Sequence, residues 1–186
     1  MSPAECLPTI ETNSVQLLTA FAAAHWFDLK KFFEESDRVL VDNGVIALVG
    51  YSFPTPIDPD NQDDKSLSQL MIDTHNDPRI APFNSLKITP TENHYRDVEF
   101  PKNYEFVHKE GIKSDRQANA QTLIGRLESS SRYQVHLQRD RQSAEQLIQE
   151  FERNLKTILK TEKLNEKELI LRYDYFIAMG RKKVDC

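Results

Sequence analysis

The apolar positions of this chain fall into two periodicities that alternate along its length. Ser14–Ala24 (SVQLLTAFAAA) is apolar and β-capable at its start, and it reads as a strand with Ala20–Ala24 as its exit. Asp28 then suits a helix N-cap, and Leu29, Phe32, Phe33, Val39 and Leu40 follow close to one helical face. Asp42-Asn43-Gly44 predicts the end of that helix, with Gly44 as a left-handed cap. Val45–Tyr51 (VIALVGY) is an unbroken apolar run, the pattern of a parallel strand covered on both faces. Strand, helix, cap and buried strand within so short a stretch make a βαβ unit.

Beyond it the pattern thins. Seven of the nine prolines lie between Phe53 and Pro101, which predicts long irregular connections. One helix is expected there, over Asn61–His75, turning Leu67, Leu70 and Met71 inward. Tyr104–Ile112 reads as a strand. Ser114 and Gln117 have capping-box spacing ahead of a helix burying Ala120, Leu123, Ile124 and Leu127. Ser143 and Gln146 repeat that spacing before a longer helix striped by Leu147, Ile148, Phe151, Leu155, Ile158 and Leu159. Leu169–Met179 alternates, with Leu169, Leu171, Tyr173, Tyr175 and Ile177 on one face, and should stop at Gly180. The chain is read as one domain: a βαβ core (1–52), a proline-rich connection with one helix (53–103), and C-terminal strands and helices (104–186).

Composition narrows the function. With 24 basic and 29 acidic side chains the net charge is −5, so no broad attraction to nucleic acid or anionic lipid is expected. No apolar run approaches the ~20 residues a membrane span needs. Cys6 and Cys186 are the two cysteines, far apart in sequence, which fits a reducing compartment; the cytoplasm is the expected location. An average chain of this size would carry about 13 glycines. This one has five, and the nearest pair is Gly44 and Gly50, so neither GxGxxG nor GxxxxGK[ST] occurs. The five histidines lack paired-ligand spacing, and no metal is expected.

The run Ala4-Glu5-Cys6-Leu7-Pro8, then Ser14–Ala20, His25-Trp26-Phe27-Asp28, Arg38-Val39-Leu40 and Gly44 leading Val45–Gly50 resembles class I S-adenosylmethionine-dependent methyltransferases. It is most similar to the type 11, trans-aconitate methyltransferase-like group. Leu123-Ile124-Gly125 followed by Ser129–Gln134 is a weaker match to the same family. Gln16 and Ser130 depart from it, where the family usually carries aspartate and tryptophan.

The resemblance implies an α/β, truncated Rossmann-like methyltransferase sheet, with the first strands missing and a final antiparallel strand. The family's first strand, glycine-rich turn and ribose-holding acid have no counterpart here, as though the chain were the C-terminal portion of such an enzyme. A bare edge on the strand of Ser14–Ala20 would follow, open to self-association or to a completing chain.

By the same resemblance S-adenosylmethionine is the cofactor and a small molecule, such as a carboxylic acid, is the acceptor. Ala4 and Glu5 match positions beside the adenine; a solvated loop explains them as well. Ala20, Phe21, Ala22 and His25 follow the strand's carboxyl end, where α/β sheets hold ligands. They either receive the cofactor or simply begin a helix. Tyr51, Tyr133 and Gln134 are candidate substrate contacts, as is Tyr95; Arg126 and Arg132 could orient an acid. Trp26 and Phe27 read as packing, Phe27 at the staple position before the N-cap. The alternative function is a non-catalytic interaction module built on the same core.

Overall fold

The computed structural model describes residues 2–83 and 89–184. The chain divides into two compact units, one of residues 1–53, 86–113 and 174–186, the other of 54–85 and 114–173. Among the described residues five strands form one mixed sheet: β1 (Val15–Phe21), β2 (Leu40–Tyr51), β3 (Thr55–Ile57), β4 (Tyr104–Asn119) and β5 (Glu168–Lys182). Their order is β1-β2-β5-β3, with β4 also paired to β5. No helix among the described residues is long and apolar enough to cross a membrane.

In the first unit the expected βαβ arrangement is present. Helix α1 (Leu29–Val39) starts at Asp28, whose side chain accepts the Lys31 N–H at 3.3 Å. Phe27 and Phe32 lie with ring centroids 5.0 Å apart, the staple that fixes the chain's approach to the helix. The helix buries Phe32, Phe33, Ser36 and Val39. β1 and β2 run parallel, Leu17 opposite Val45 through Phe21 opposite Val49. β2 is covered on both faces: Ile46, Ala47 and Leu48 are all buried. Its other edge pairs antiparallel with β5, Val45 opposite Arg181 through Tyr51 opposite Tyr175.

Gly44 does not cap α1. The backbone is already extended at Leu40, and Gly44 lies inside β2. The pairing jumps from Val15–Leu40 to Leu17–Val45, so the extra residues form a bulge, and Asn43 takes the left-handed conformation (φ 63°). Asparagine tolerates that region, which let the irregularity move from the helix end into the strand. A side chain on Gly44 would meet the Val41 carbonyl at 2.8 Å, so close approach explains this glycine.

In the second unit β3 pairs antiparallel with the first half of β5, Pro56 opposite Leu171. Helix α2 covers Ser66–His75, shorter than expected, because Asp64 accepts the Ser66 N–H at 2.8 Å and ends the preceding turns. It buries Leu67 and Met71 as expected, with Thr74, while Leu70 is half-buried. The proline-rich stretch also holds β3, a 3-10 turn at Ala81–Phe83 and a short helix, α3 (Thr89–Glu92).

Helices α4 (Gln121–Ser129), α5 (Ser131–Arg139) and α6 (Arg141–Leu159) follow. Two capping expectations are corrected. Ser114 and Gln117 lie in β4, which runs on to Asn119, and Asn119 Oδ1 accepts the Thr122 N–H at 3.1 Å near the start of α4. α6 is capped by Asp140, which accepts the Ser143 N–H at 3.0 Å, so Ser143 is already within the helix. In both places another polar side chain, five residues after Ser114 and three before Ser143, accepts a free N–H of the first turn instead. Ser130 caps α5 by accepting the Tyr133 N–H, and that separate helix was not expected.

β5 continues past Gly180 to Lys182. Its buried positions are Leu169, Leu171 and Tyr173, then Phe176, Ala178, Gly180 and Lys182, so Tyr175 and Ile177 do not continue the burial of the face on which they were expected. The change falls where the strand passes from the second unit's residues to the first's.

A side chain added at Gly50 would lie 2.3 Å from the Phe176 ring. Gly50→Ala should therefore destabilise the protein by about 1–3 kcal/mol in urea melts. Combined with Phe176→Leu it should cost less than the two single effects added.

Candidate functional site

The carboxyl ends of the parallel pair β1–β2 carry most of the residues singled out in the sequence. Ala20 is buried and packs into the first unit's core, while Phe21 beside it is 57% exposed. The chain then turns sharply. Ala22 donates its N–H to Val49 O at 2.8 Å and takes a left-handed conformation, φ 49°. A residue with a Cβ is strained there, and such strain gathers at ligand clamps and active sites.

A 3-10 turn, Ala24–Trp26, follows and presents His25. Its Nδ1 lies 3.0 Å from Thr91 Oγ1 and 3.3 Å from the Tyr95 hydroxyl. Burial holds the His25 pKa below its ordinary value, so the ring is neutral at pH 7. Tyr95 is itself fully buried and meets Phe176 edge-on, so it supports His25 and does not stand open to a substrate. Trp26 is 52% exposed, contrary to the packing role expected of it, and tilts against the His25 ring at 5.1 Å.

Tyr51 reaches the same place from β2. Phe21, Tyr51 and Tyr175 form a triangle of rings with centroids 5.8–6.1 Å apart. The sequence pattern puts Tyr175 on one face of its strand with Leu169, Leu171 and Tyr173; its cross-strand place opposite Tyr51 brings it here.

Ala4 and Glu5 are tied to the same region. Glu5 Oε1 accepts the Asp28 N–H at 2.8 Å, and Ala4 packs against the core. Their loop is pinned by the last turns of α1. Glu35 Oε1 accepts the Leu7 N–H at 2.6 Å. Arg38 donates to the carbonyls of Leu7 and Ile10 and to Thr12 Oγ1, and forks onto both Glu35 oxygens. Arg38 and the Leu7 N–H hold the Glu35 pKa down at about 2. The loop is thus tied to α1 through its backbone.

Tyr133 and Gln134 belong to the second unit. Tyr133 is buried on α5 and burial raises its pKa; Gln134 Nε2 donates to Glu128 O at 2.7 Å. Arg132 is buried there and donates to His75 O, and Arg126 donates to the Tyr173 hydroxyl at 2.8 Å.

No family model matches the chain. The solved structure of a candidate type II methyltransferase from Anaeromyxobacter dehalogenans superposes with a TM-score of 0.78 at 21% identity. It covers 99% of this chain and 71% of that one. The fold is methyltransferase-like.

A candidate methyltransferase of Dictyostelium discoideum is 45% identical over 42 residues, a match spanning 23% of this chain and 16% of that relative. A candidate methyltransferase from Bacillus halodurans matches over 98% of this chain and 70% of its own, at 14% identity and a TM-score of 0.41. The likeness to the Anaeromyxobacter structure establishes the α/β, Rossmann-like sheet, and the pairing of β5 with β2 gives its final antiparallel strand. In this methyltransferase-like fold the strained turn at Ala22 lies where open α/β sheets hold ligands.

Two outcomes follow from these contacts. Ala22→Val should lower stability by roughly 1–3 kcal/mol, since a branched side chain fits a left-handed backbone worse, while Ala22→Gly should not. Glu35 has its folded-state pKa depressed from 4.5 to about 2, so its contribution is fully present above pH 4.5 and is lost as pH falls toward 2. Urea midpoints followed over that window should fall less steeply for Glu35→Gln than for the wild type.

Proposed function

We propose that this chain contributes to an S-adenosylmethionine-dependent methyltransfer site acting on a small molecule, in the cytoplasm. The observation that carries the reading is the strained Ala22 turn, set beside Phe21, His25 and Tyr51 at the carboxyl ends of parallel strands. The residues suit the cofactor chemically. Aromatic faces attract a sulfonium cation and stack on a purine. Ala22 keeps the turn small, and neutral His25 offers a hydrogen bond without repelling a positive charge.

When bound, S-adenosylmethionine supplies a methyl group on a cationic sulfur, open to direct displacement. The protein's work is then alignment and exclusion of water, which can supply much of the rate. Phe21, Tyr51 and Tyr175 form an apolar wall, and Ala4 and Glu5, held by Arg38 and Glu35, form the neighbouring loop. A carboxylic acid acceptor, the class the sequence resemblance suggests, needs no base, because its carboxylate is already ionised at pH 7.

A second reading has its own observation. β1 is a terminal strand of the sheet, and its Leu17 and Phe21 are 58% and 57% exposed. An open apolar edge is a template for another strand, which suits an interaction module, through self-association or a completing chain.

Calorimetric titration with S-adenosylhomocysteine separates the two readings. Measurable binding, weakened roughly tenfold or more by His25→Ala or Phe21→Ala, supports the methyltransferase site; about 1.4 kcal/mol corresponds to that factor. Silence in the calorimeter, with light scattering above the monomer mass that Leu17→Lys abolishes, would favour the interaction module.

A further inference from the structure

One residue beyond Tyr51, where β2 ends, a second constellation lies wholly within the first unit. Ser52 Oγ is 3.1 Å from His94 Nε2, and His94 Nδ1 is 2.9 Å from Glu110 Oε2. Serine, histidine and carboxylate thus follow one another at hydrogen-bond distance through the two nitrogens of one ring.

Each member is held in place independently. The Ser52 N–H donates to Asp174 O at 3.0 Å, fixing its backbone to β5. The His94 ring stacks on Phe176, 4.7 Å between centroids and 13° between planes. Its carbonyl lies 2.7 Å from His108 Nε2. His94 and Tyr95 both take left-handed backbones (φ 55° and 56°), a costly pair for residues with side chains. Arg96 forks onto both Glu110 oxygens, and His108 Nδ1 lies 3.5 Å from Glu110 Oε1.

The protons can be assigned from this geometry. Arg96 and His94 keep the Glu110 pKa down at about 2, so its carboxylate is ionised and can only accept. His94 Nδ1 therefore carries the proton that Glu110 accepts, which leaves the Nε2 lone pair facing Ser52. The Ser52 hydroxyl donates to it. This is the tautomer a serine nucleophile requires of its base. Glu110 is shared with Arg96, so it fixes the ring's tautomer and orientation more than it stabilises an imidazolium. Ser52 and His94 are only partly buried, so an electrophile can approach.

We infer that Ser52, His94 and Glu110 form a nucleophilic site that takes the acyl group of a carboxylic ester, distinct from the methyl-transfer reading. Ser52 Oγ bonds to the acyl carbon while its proton passes to His94 Nε2. The ester C–O bond breaks, and the alcohol leaves with that proton. Water then repeats the sequence: its proton goes to His94, its oxygen bonds to the acyl carbon, and the acid departs as Ser52 recovers its proton. Ser52 and His94 touch the reacting atoms; Glu110 is a positioning residue.

A fluorophosphonate probe tests this on the protein as it stands. Ser52 Oγ bonds to phosphorus, fluoride leaves, and the serine proton departs through His94. Peptide mass spectrometry should find the adduct on Ser52 alone among the chain's serines, and none in urea-unfolded protein or in Ser52→Ala. His94→Gln should label at least about 100-fold more slowly, the usual weight of a general base. Glu110→Ala should be slowed roughly tenfold or more, by the loss of the oriented tautomer. Glu110→Asp should recover most of the rate, which a purely structural role would not predict. Circular dichroism checks that each variant is folded. Folded wild type that resists labelling, adducts spread over many serines, or a folded His94→Gln that labels at the wild-type rate would overturn the inference. The S-adenosylhomocysteine titration is unaffected by any of these outcomes.

Discussion

β2 must be satisfied on both edges and both faces at once, and the first unit is arranged around that requirement. Its backbone groups pair with parallel β1 on one side and antiparallel β5 on the other. Ile46 and Leu48 are fully buried, and α1 arrives in place because Val39 and Leu40 are buried with them. Little freedom is left at the strand's carboxyl end. Tyr51 and Ser52 therefore emerge in fixed directions, one toward Phe21 and Tyr175, the other toward His94. A rigid strand end is a better platform for chemistry than a loop, because the first residue beyond it inherits the sheet's precision.

Gly50 extends the argument to the aromatic side chains. Without a Cβ there, the Phe176 ring settles against the β2 backbone, stacks on His94 and lies T-shaped to Tyr95. Tyr95 then reaches His25, so one absent side chain lies behind two neighbouring groups of functional residues.

What was legible in the sequence was local. Apolar spacing, an N-cap at Asp28 and the Phe27 staple are short-range signals, and the βαβ arrangement follows them. Cap positions were less legible where polar residues compete. Asp140 precedes Ser143 by less than a turn, and Asn43 absorbed the irregularity assigned to Gly44. The parity change in β5 was hidden, because its letters keep alternating while the burial pattern shifts by one residue after Tyr173. Least legible were groups assembled by topology: Glu35 and Arg38 pinning the Leu7 loop, Tyr175 opposite Tyr51, and Ser52 with His94 and Glu110. No spacing rule joins residues so far apart; only the strand order does.

β5 brings one more consequence, which concerns time. The first unit's core needs Phe176 and Ala178, and β2 pairs along its length with Tyr175–Arg181. During synthesis β1, α1 and β2 leave the ribosome long before their last partner exists. Pairing over such a separation is entropically slow. Until Lys182 has been made, β2 waits with an apolar edge uncovered, a period in which chaperones would be most needed.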